Sequence, residues 1–255
     1  MPLLLALAAL LSILLDARSA PPPSRQPSQE EAEEAPPPPT AEPGRWTFAI
    51  RPYLWAASVD GSVAVRSLPS QDFEADFSDI VSELDFAFML SFEARPPSGD
   101  IGLLLDSVFL DVSGTERSFD WGLEQRLLEL DVTWRVAKQV DLLAGARYVG
   151  FETSVSIPPS GASASRDESW VDPVIGARGA LPLADRWALA GRGDIAGFGV
   201  GSEFSWQLAG YVLFKAAKWA DVGLGYRHLQ IDFEEGDADI DLGLSGPLLG
   251  VEFRL

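Results

Sequence analysis

Residues 128–136 read Leu-Glu-Leu-Asp-Val-Thr-Trp-Arg-Val, an unbroken alternation of apolar and polar side chains. Successive side chains of a β-strand point to opposite faces. Leu128, Leu130, Val132, Trp134 and Val136 therefore share one face, and Glu129, Asp131, Thr133 and Arg135 share the other. One face suits hydrocarbon and the other carries charge. In a water-soluble sheet the apolar face is the inside. In a transmembrane barrel it is the outside, and the charged face lines the lumen.

The flanking sequence decides between the two. The same alternation recurs in ten stretches over residues 46–255, and the charges fall at strand middles as well as ends. Glu93 and Arg95 alternate with Phe88, Leu90 and Phe92, and Asp106 opposes Leu103, Leu105 and Phe109. A soluble sandwich would put Thr, Ser and Lys on its wet face. This chain puts Gly, Arg, Asp and Glu there, and small residues beside paired charges suit a narrow lumen. The fold class is therefore all-β, a closed antiparallel transmembrane β-barrel of the bacterial outer membrane. Ten strands fit best, at 46–59, 85–96, 101–112, 121–137, 140–153, 168–182, 186–199, 203–217, 220–234 and 241–255; eight or twelve stay open as counts. The expected lipid face is Phe48, Ile50, Leu54, Phe88, Leu90, Leu103, Leu130, Val132, Leu208, Val212, Leu224, Val251 and Phe253.

The connections at 97–100, 138–139, 183–185 and 218–219 are tight. Those at 60–84, 113–120, 154–167 and 235–240 are longer, with 200–202 an exception. Outer-membrane barrels have short periplasmic turns and long extracellular loops, so the tight set is expected in the periplasm with both termini. Asp60-Gly61 is a hairpin signal and offers an end to the first strand, with Ser62–Arg66 returning. In residues 77–84 the apolar Phe77, Ile80, Val81 and Leu84 recur at helical spacing, with Ser78 as a cap. That stripe gives the longest loop a candidate lid over the barrel mouth, formed by Phe77, Ile80 and Leu84.

The N-terminal region reads differently. Residues 3–15 are uncharged and apolar but fall short of the ~20 residues a spanning helix needs, so residues 1–19 read as a signal peptide. Residues 20–45 are rich in Pro and Glu and cannot bury enough apolar surface to fold, so they read as a disordered periplasmic linker. Residues 46–255 are the barrel. The chain has no cysteine and eight tryptophans. Trp46, Trp134, Trp187 and Trp219 fall near one set of strand ends and Trp121, Trp170 and Trp206 near the other, the expectation for two interfacial girdles.

Face assignment collects sixteen charges in the lumen: Arg51, Glu93, Arg95, Asp106, Glu129, Asp131, Arg135, Arg147, Asp172, Arg178, Arg192, Asp194, Lys215, Arg227, Glu252 and Arg254. Seven acids against nine bases are near balance, so the net charge of −19 resides in the N-terminal region and the loops. No basic patch offers itself to nucleic acid.

Candidate chemistry is sparse. His228 is the only histidine. Asp232 lies four residues on, about 13 Å along the same strand face, too far for a direct hydrogen bond. Alternation also puts His228 with Tyr226 on the lipid side, which suits an interfacial girdle better than a rim protease or a Ser-His lipase. The acids of 232–241 lack the spacing of a calcium loop and read as a solvated acidic loop. Gly197-Phe-Gly-Val-Gly-Ser202 does not lead into a helix, so no phosphate loop is supported. No catalytic residue, cofactor or metal is assigned.

Several motifs carry a family resemblance: Arg51-Pro-Tyr-Leu-Trp-Ala56, Asp60-Gly-Ser-Val63, Phe77-Ser-Asp-Ile80, Leu84-Asp-Phe-Ala-Phe-Met89, Phe92-Glu-Ala-Arg95, Trp170-Val-Asp-Pro-Val-Ile-Gly-Ala-Arg178, Gly193-Asp-Ile-Ala-Gly-Phe-Gly-Val-Gly-Ser202 and Ser245-Gly-Pro-Leu-Leu-Gly250. Over residues 46–255 the chain resembles a family of proteobacterial outer-membrane β-barrel proteins. The resemblance implies fold and location, not an activity. Family members tend to end on an aromatic residue, read by the barrel-assembly machinery; this chain ends Phe253-Arg-Leu255, which implies slower insertion. The expected partners are outer-membrane lipid and lipopolysaccharide, and that machinery during insertion, around a monomer. The expected role is a structural or surface-interaction protein with a plugged lumen; the alternative is a narrow channel or small-solute transporter.

Overall fold

The structure is a computed structural model that describes residues 45–65, 68–116, 119–157, 162–235 and 238–255. The signal peptide expected at 1–19 and the linker expected at 20–45, Arg45 apart, lie outside the described residues. Twelve strands run in chain order: β1 Thr47–Trp55, β2 Ser58–Val65, β3 Leu68–Ala75, β4 Leu84–Arg95, β5 Ile101–Glu116, β6 Phe119–Ala137, β7 Val140–Ile157, β8 Ala162–Ala184, β9 Trp187–Gly197, β10 Phe204–Lys215, β11 Ala220–Glu235 and β12 Ala238–Arg254. Among the described residues one short helix, α1 Phe77–Ser82, joins β3 to β4.

Twelve strands make ten staves. β1 pairs with the C-terminal half of β12, from Ala49↔Arg254 to Trp55↔Leu248, and β2 takes up the N-terminal half, from Ser58↔Ser245 to Val65↔Ala238. They are one stave, broken at Ala56–Ala57. β3 is a side arm folded back on β2. The barrel closes antiparallel, β1 lying between β12 and β4. The break has a local cause. Pro247 has no N–H to give, and its carbonyl accepts instead from Ala56 N at 2.9 Å. Gly246 permits the approach, since a Cβ there would lie 2.0 Å from the Ala56 carbonyl oxygen.

The inside-out reading is decided by exposure. Leu130 (54%), Trp134 (61%), Leu208 (60%) and Leu224 (61%) are open on the outer face, while Arg147 (0%) and Glu129 (2%) are sealed within. The outward apolar run of β6, Leu128 to Val136, matches the ~9–11 residues with which a tilted strand crosses a bilayer. Beyond it the outward side chains turn polar: Arg126 pairs with Glu124 and Glu152.

Three expectations need correction. The Asp60-Gly61 pair does not end the first stave; β2 runs through it to Val65, held by Asp60↔Gly243 and Gly61↔Leu242. The long loops expected at 113–120, 154–167 and 235–240 are mostly sheet, because β5–β8, β11 and β12 run 16 to 23 residues and project past the apolar band. The helix falls where its apolar spacing put it, but Ser78 lies inside it. Asp76 occupies the cap position, and its carbonyl accepts from the amides of Asp79 (3.0 Å) and Ile80 (3.2 Å).

Candidate functional site

The lumen is built in two layers, and alternation positions both. At the end carrying the turns 96–100, 138–139, 185–186 and 216–219, the inward residues are charged; toward the opposite end they become apolar.

The charged layer is centred on Arg147. Its Nε donates to Glu129 at 2.7 Å and its Nη2 to Asp194. Arg192 donates to Asp194 at 2.7 Å, to Asp131 at 3.1 Å and to Glu129. Gln207 bridges onward, donating to Asp194 at 2.8 Å and accepting from Arg227 Nε at 2.7 Å. Arg227 in turn reaches Asp106 at 3.2 Å, while its guanidinium lies 4.6 Å from the Trp55 ring centroid. Burying a charge is costly unless it is paired and hydrogen-bonded, and these charges meet that condition with cross-lumen partners from β5, β6, β7, β9, β10 and β11, save that Asp131 is held through Oδ2 alone and its buried Oδ1 has no partner among the described residues. Gly145 makes room for Asp131, whose Oδ1 a Cβ there would meet at 2.4 Å.

Nearer the turns a second set surrounds Glu93 and Asp141. Glu93 accepts from Arg51 at 2.7 Å, Arg95 at 2.9 Å and Arg178 at 3.0 Å. Asp141 accepts from Arg135 at 3.0 Å and Arg178 at 3.3 Å, and pairs with Arg95. Arg51 also holds Glu252 at 2.6 Å, and Arg254 pairs with Glu252 (2.9 Å) and Asp221.

Fourteen of the sixteen expected lumen charges thus meet across the barrel or along a lumen face. Asp172 and Lys215 stand apart. Asp172 accepts from Ser202 N at 2.7 Å, Ser202 Oγ at 2.8 Å and Trp170 Nε1 at 3.1 Å, pinning the 198–203 connection against the wall. Lys215 is exposed at the turn end, with no ion pair among the described residues. Sequence reasoning missed Asp141, Asp221 and Tyr53. The signal was available: Asp141 keeps step with Arg147, and Tyr53 with Arg51.

It also missed the apolar layer. Trp55, Val108, Leu127, Val149, Leu229, Ile231, Leu244 and Leu248 form one buried cluster across the lumen, with Tyr53, Phe151, Trp170 and Phe233 packed on it. Trp170 stacks on Phe233 with centroids 4.4 Å apart. The girdle assignment of Trp121 and Trp170 is therefore overturned: both point inward, Trp121 at 5% exposure, because 121 keeps step with Glu129 and 170 with Asp172. Trp206 does face outward, as do Trp46, Trp134, Trp187 and Trp219.

Above this layer lies α1. Ile80 is buried with Ala75, Val112 and Trp121, and Leu84 packs against the same cluster. Phe77 is half-buried and outside it; its amide donates to Ser58 Oγ at 3.2 Å. The Glu83 carbonyl accepts from Ser113 N at 3.0 Å, tying the helix end to β5. His228 is on the outer face, paired in register with Leu208; its Nδ1 is 2.6 Å from Ser245 Oγ and its ring 4.6 Å from that of Trp206. Among the described residues no group of His, Cys, Asp and Glu has the arrangement of a metal site.

No family model matches the chain, and no curated protein does. Solved structures do. The outer-membrane protease OmpT from Escherichia coli superposes with a TM-score of 0.51 at 10% identity, over 82% of this chain and 97% of that one. Ail, the attachment invasion locus protein of Yersinia pestis, gives 0.40 at 10% identity, over 83% and 99%. The likeness is one of fold. The chain has the fold of the bacterial outer-membrane β-barrels.

Proposed function

We propose that this barrel is plugged, and serves the outer membrane as a structural or surface-interaction protein, not as a conduit. One observation carries the reading: the apolar layer from Trp55 to Leu248 fills the lumen between the charged network and the end opposite the tight turns. An ion or polar solute crossing it would shed its water against Val, Leu and Ile side chains that offer no polar partner. A ten-stranded barrel is little wider than one filled by its own side chains, so the layer leaves little to displace. The lid residues Ile80 and Leu84 and the connection pinned by Asp172 support closure at the same end. The reading is non-enzymatic, since His228 engages Ser245 and Trp206 on the lipid face and no carboxylate among the described residues meets its ring.

Planar-bilayer recording of the purified protein tests this. The expected result is a membrane without steady single-channel currents. Large, steady, reproducible currents would favour the narrow channel or transporter, with the arginine–carboxylate network as its selectivity site.

A further inference from the structure

The charged layer does not fill its end of the barrel. A cavity of about 410 Å³ remains within it, bordered at the mouth beside the tight turns by Arg135, Lys138 and Gln139. The volume is in the range of small-molecule sites. Three arginines of its inner wall are incompletely used. Arg51 engages Glu93 and Glu252 through Nη2 and Nε, leaving Nη1. Arg192 works through Nε and Nη2, leaving Nη1. Arg227 works through Nε and Nη1, leaving Nη2. None of these three nitrogens has a hydrogen-bond partner among the described residues, and none is sealed from the cavity. Tyr211 lines the same space, and its hydroxyl has no hydrogen-bond partner among the described residues.

Unused guanidinium N–H groups on the wall of one cavity are an acceptor site, and a carboxylate is the acceptor their planar geometry fits best. The rest of the wall narrows the choice. Leu104, Leu213 and Leu248 border the same cavity. They would desolvate an inorganic phosphate or sulfate without return, but they suit a hydrocarbon body. With the ion partners that stand behind the wall (Arg147, Arg254, Glu129, Asp131 and Asp194) counted beside the lining residues, nine bases face eight acids, an excess of one that matches one negative charge.

We infer that the cavity binds a small organic monocarboxylate, its anionic head on Arg51, Arg192, Arg227 and the Tyr211 hydroxyl, its apolar body against Leu104, Leu213 and Leu248. The ligand arrives from the periplasm, a direction that rests on the plugged reading; the binding itself does not, so a conducting barrel and a non-binding barrel are separate failures.

Calorimetric titration of the full barrel in a non-ionic detergent tests it, with hexanoate as probe and hexan-1-ol and inorganic phosphate as controls. Hexanoate binds saturably at one site, and both controls bind at least about tenfold more weakly, a difference of about 1.4 kcal/mol. Ala190→Phe fills the cavity beside Tyr211, to which Ala190 is paired in register on the neighbouring strand, and abolishes binding. Tyr211→Phe, which keeps the ring and the fold, weakens hexanoate severalfold and leaves hexan-1-ol unchanged. Absence of saturable hexanoate binding to the wild-type barrel overturns the proposal. So does phosphate binding as tightly as hexanoate, or hexanoate binding undiminished in a folded Ala190→Phe barrel.

Discussion

At Arg147 the guanidinium is fully buried and held by two carboxylates that are themselves buried, Glu129 and Asp194. Removing it leaves Arg192 as the one arginine on both acids, so Arg147→Ala should cost about 3 kcal/mol, the low end for breaking a buried pair. Denaturant unfolding in lipid or detergent reads this directly. A loss below about 1 kcal/mol would mean that water reaches the network. On the opposite face Leu130 is open to lipid. Leu130→Arg should cost about 2–4 kcal/mol near the bilayer midplane; a barrel insensitive to that charge would not have this face in hydrocarbon. Both assignments could be read in the sequence, since Leu130 and Glu129 are neighbours on alternate faces of one strand. What could not be read was which acid meets which arginine. Arg147 joins Asp194 across 47 residues of chain, and alternation fixes a side chain's face but not its height or its partner across the lumen.

The elements divide along similar lines. Strands announce themselves by a period of two, and the ten expected stretches are all found. Their ends were less visible, because the alternation continues past the membrane with polar residues outward, where it looks like loop. The inward tryptophans follow the same logic: nearness to a strand end suggests a girdle, but keeping step with Glu129 and Asp172 puts Trp121 and Trp170 inside. Helix α1 was visible through the spacing of Ile80 and Leu84, and its packing on Trp121 and Val112 gives it a testable function as a cover. Ile80→Ala removes the buried anchor of a six-residue helix that has no side-chain cap. We expect proteinase K to cleave the 76–84 segment of that variant at least about tenfold faster than in the wild-type barrel, with the strands uncut. Equal rates would mean that α1 is held by its backbone ties to β2 and β5 alone, and not by the Ile80 contact.

The barrel as a unit is asymmetric: a charged half with a cavity lies at the end of the tight turns, and an apolar half lies at the other. The sequence displayed the charges and the near balance of their signs, which is why a plug could be expected. It did not display the dry layer, whose residues are ordinary Val, Leu and Ile on inward positions and differ in no local way from those facing lipid. Because the chain has no cysteine, a single introduced thiol reports on either layer without background. Val149, fully buried in the dry layer, and Ala190, which lines the cavity, are suited to this. The measurement is the rate at which a charged, water-soluble thiol reagent modifies Val149→Cys in the folded, reconstituted barrel, referred to Ala190→Cys. A plugged lumen predicts that Ala190→Cys reacts readily while Val149→Cys reacts only after the barrel is unfolded by heat. Modification of Val149→Cys in the folded barrel at a rate equal to that of Ala190→Cys would show water continuous through the dry layer and would contradict the plug.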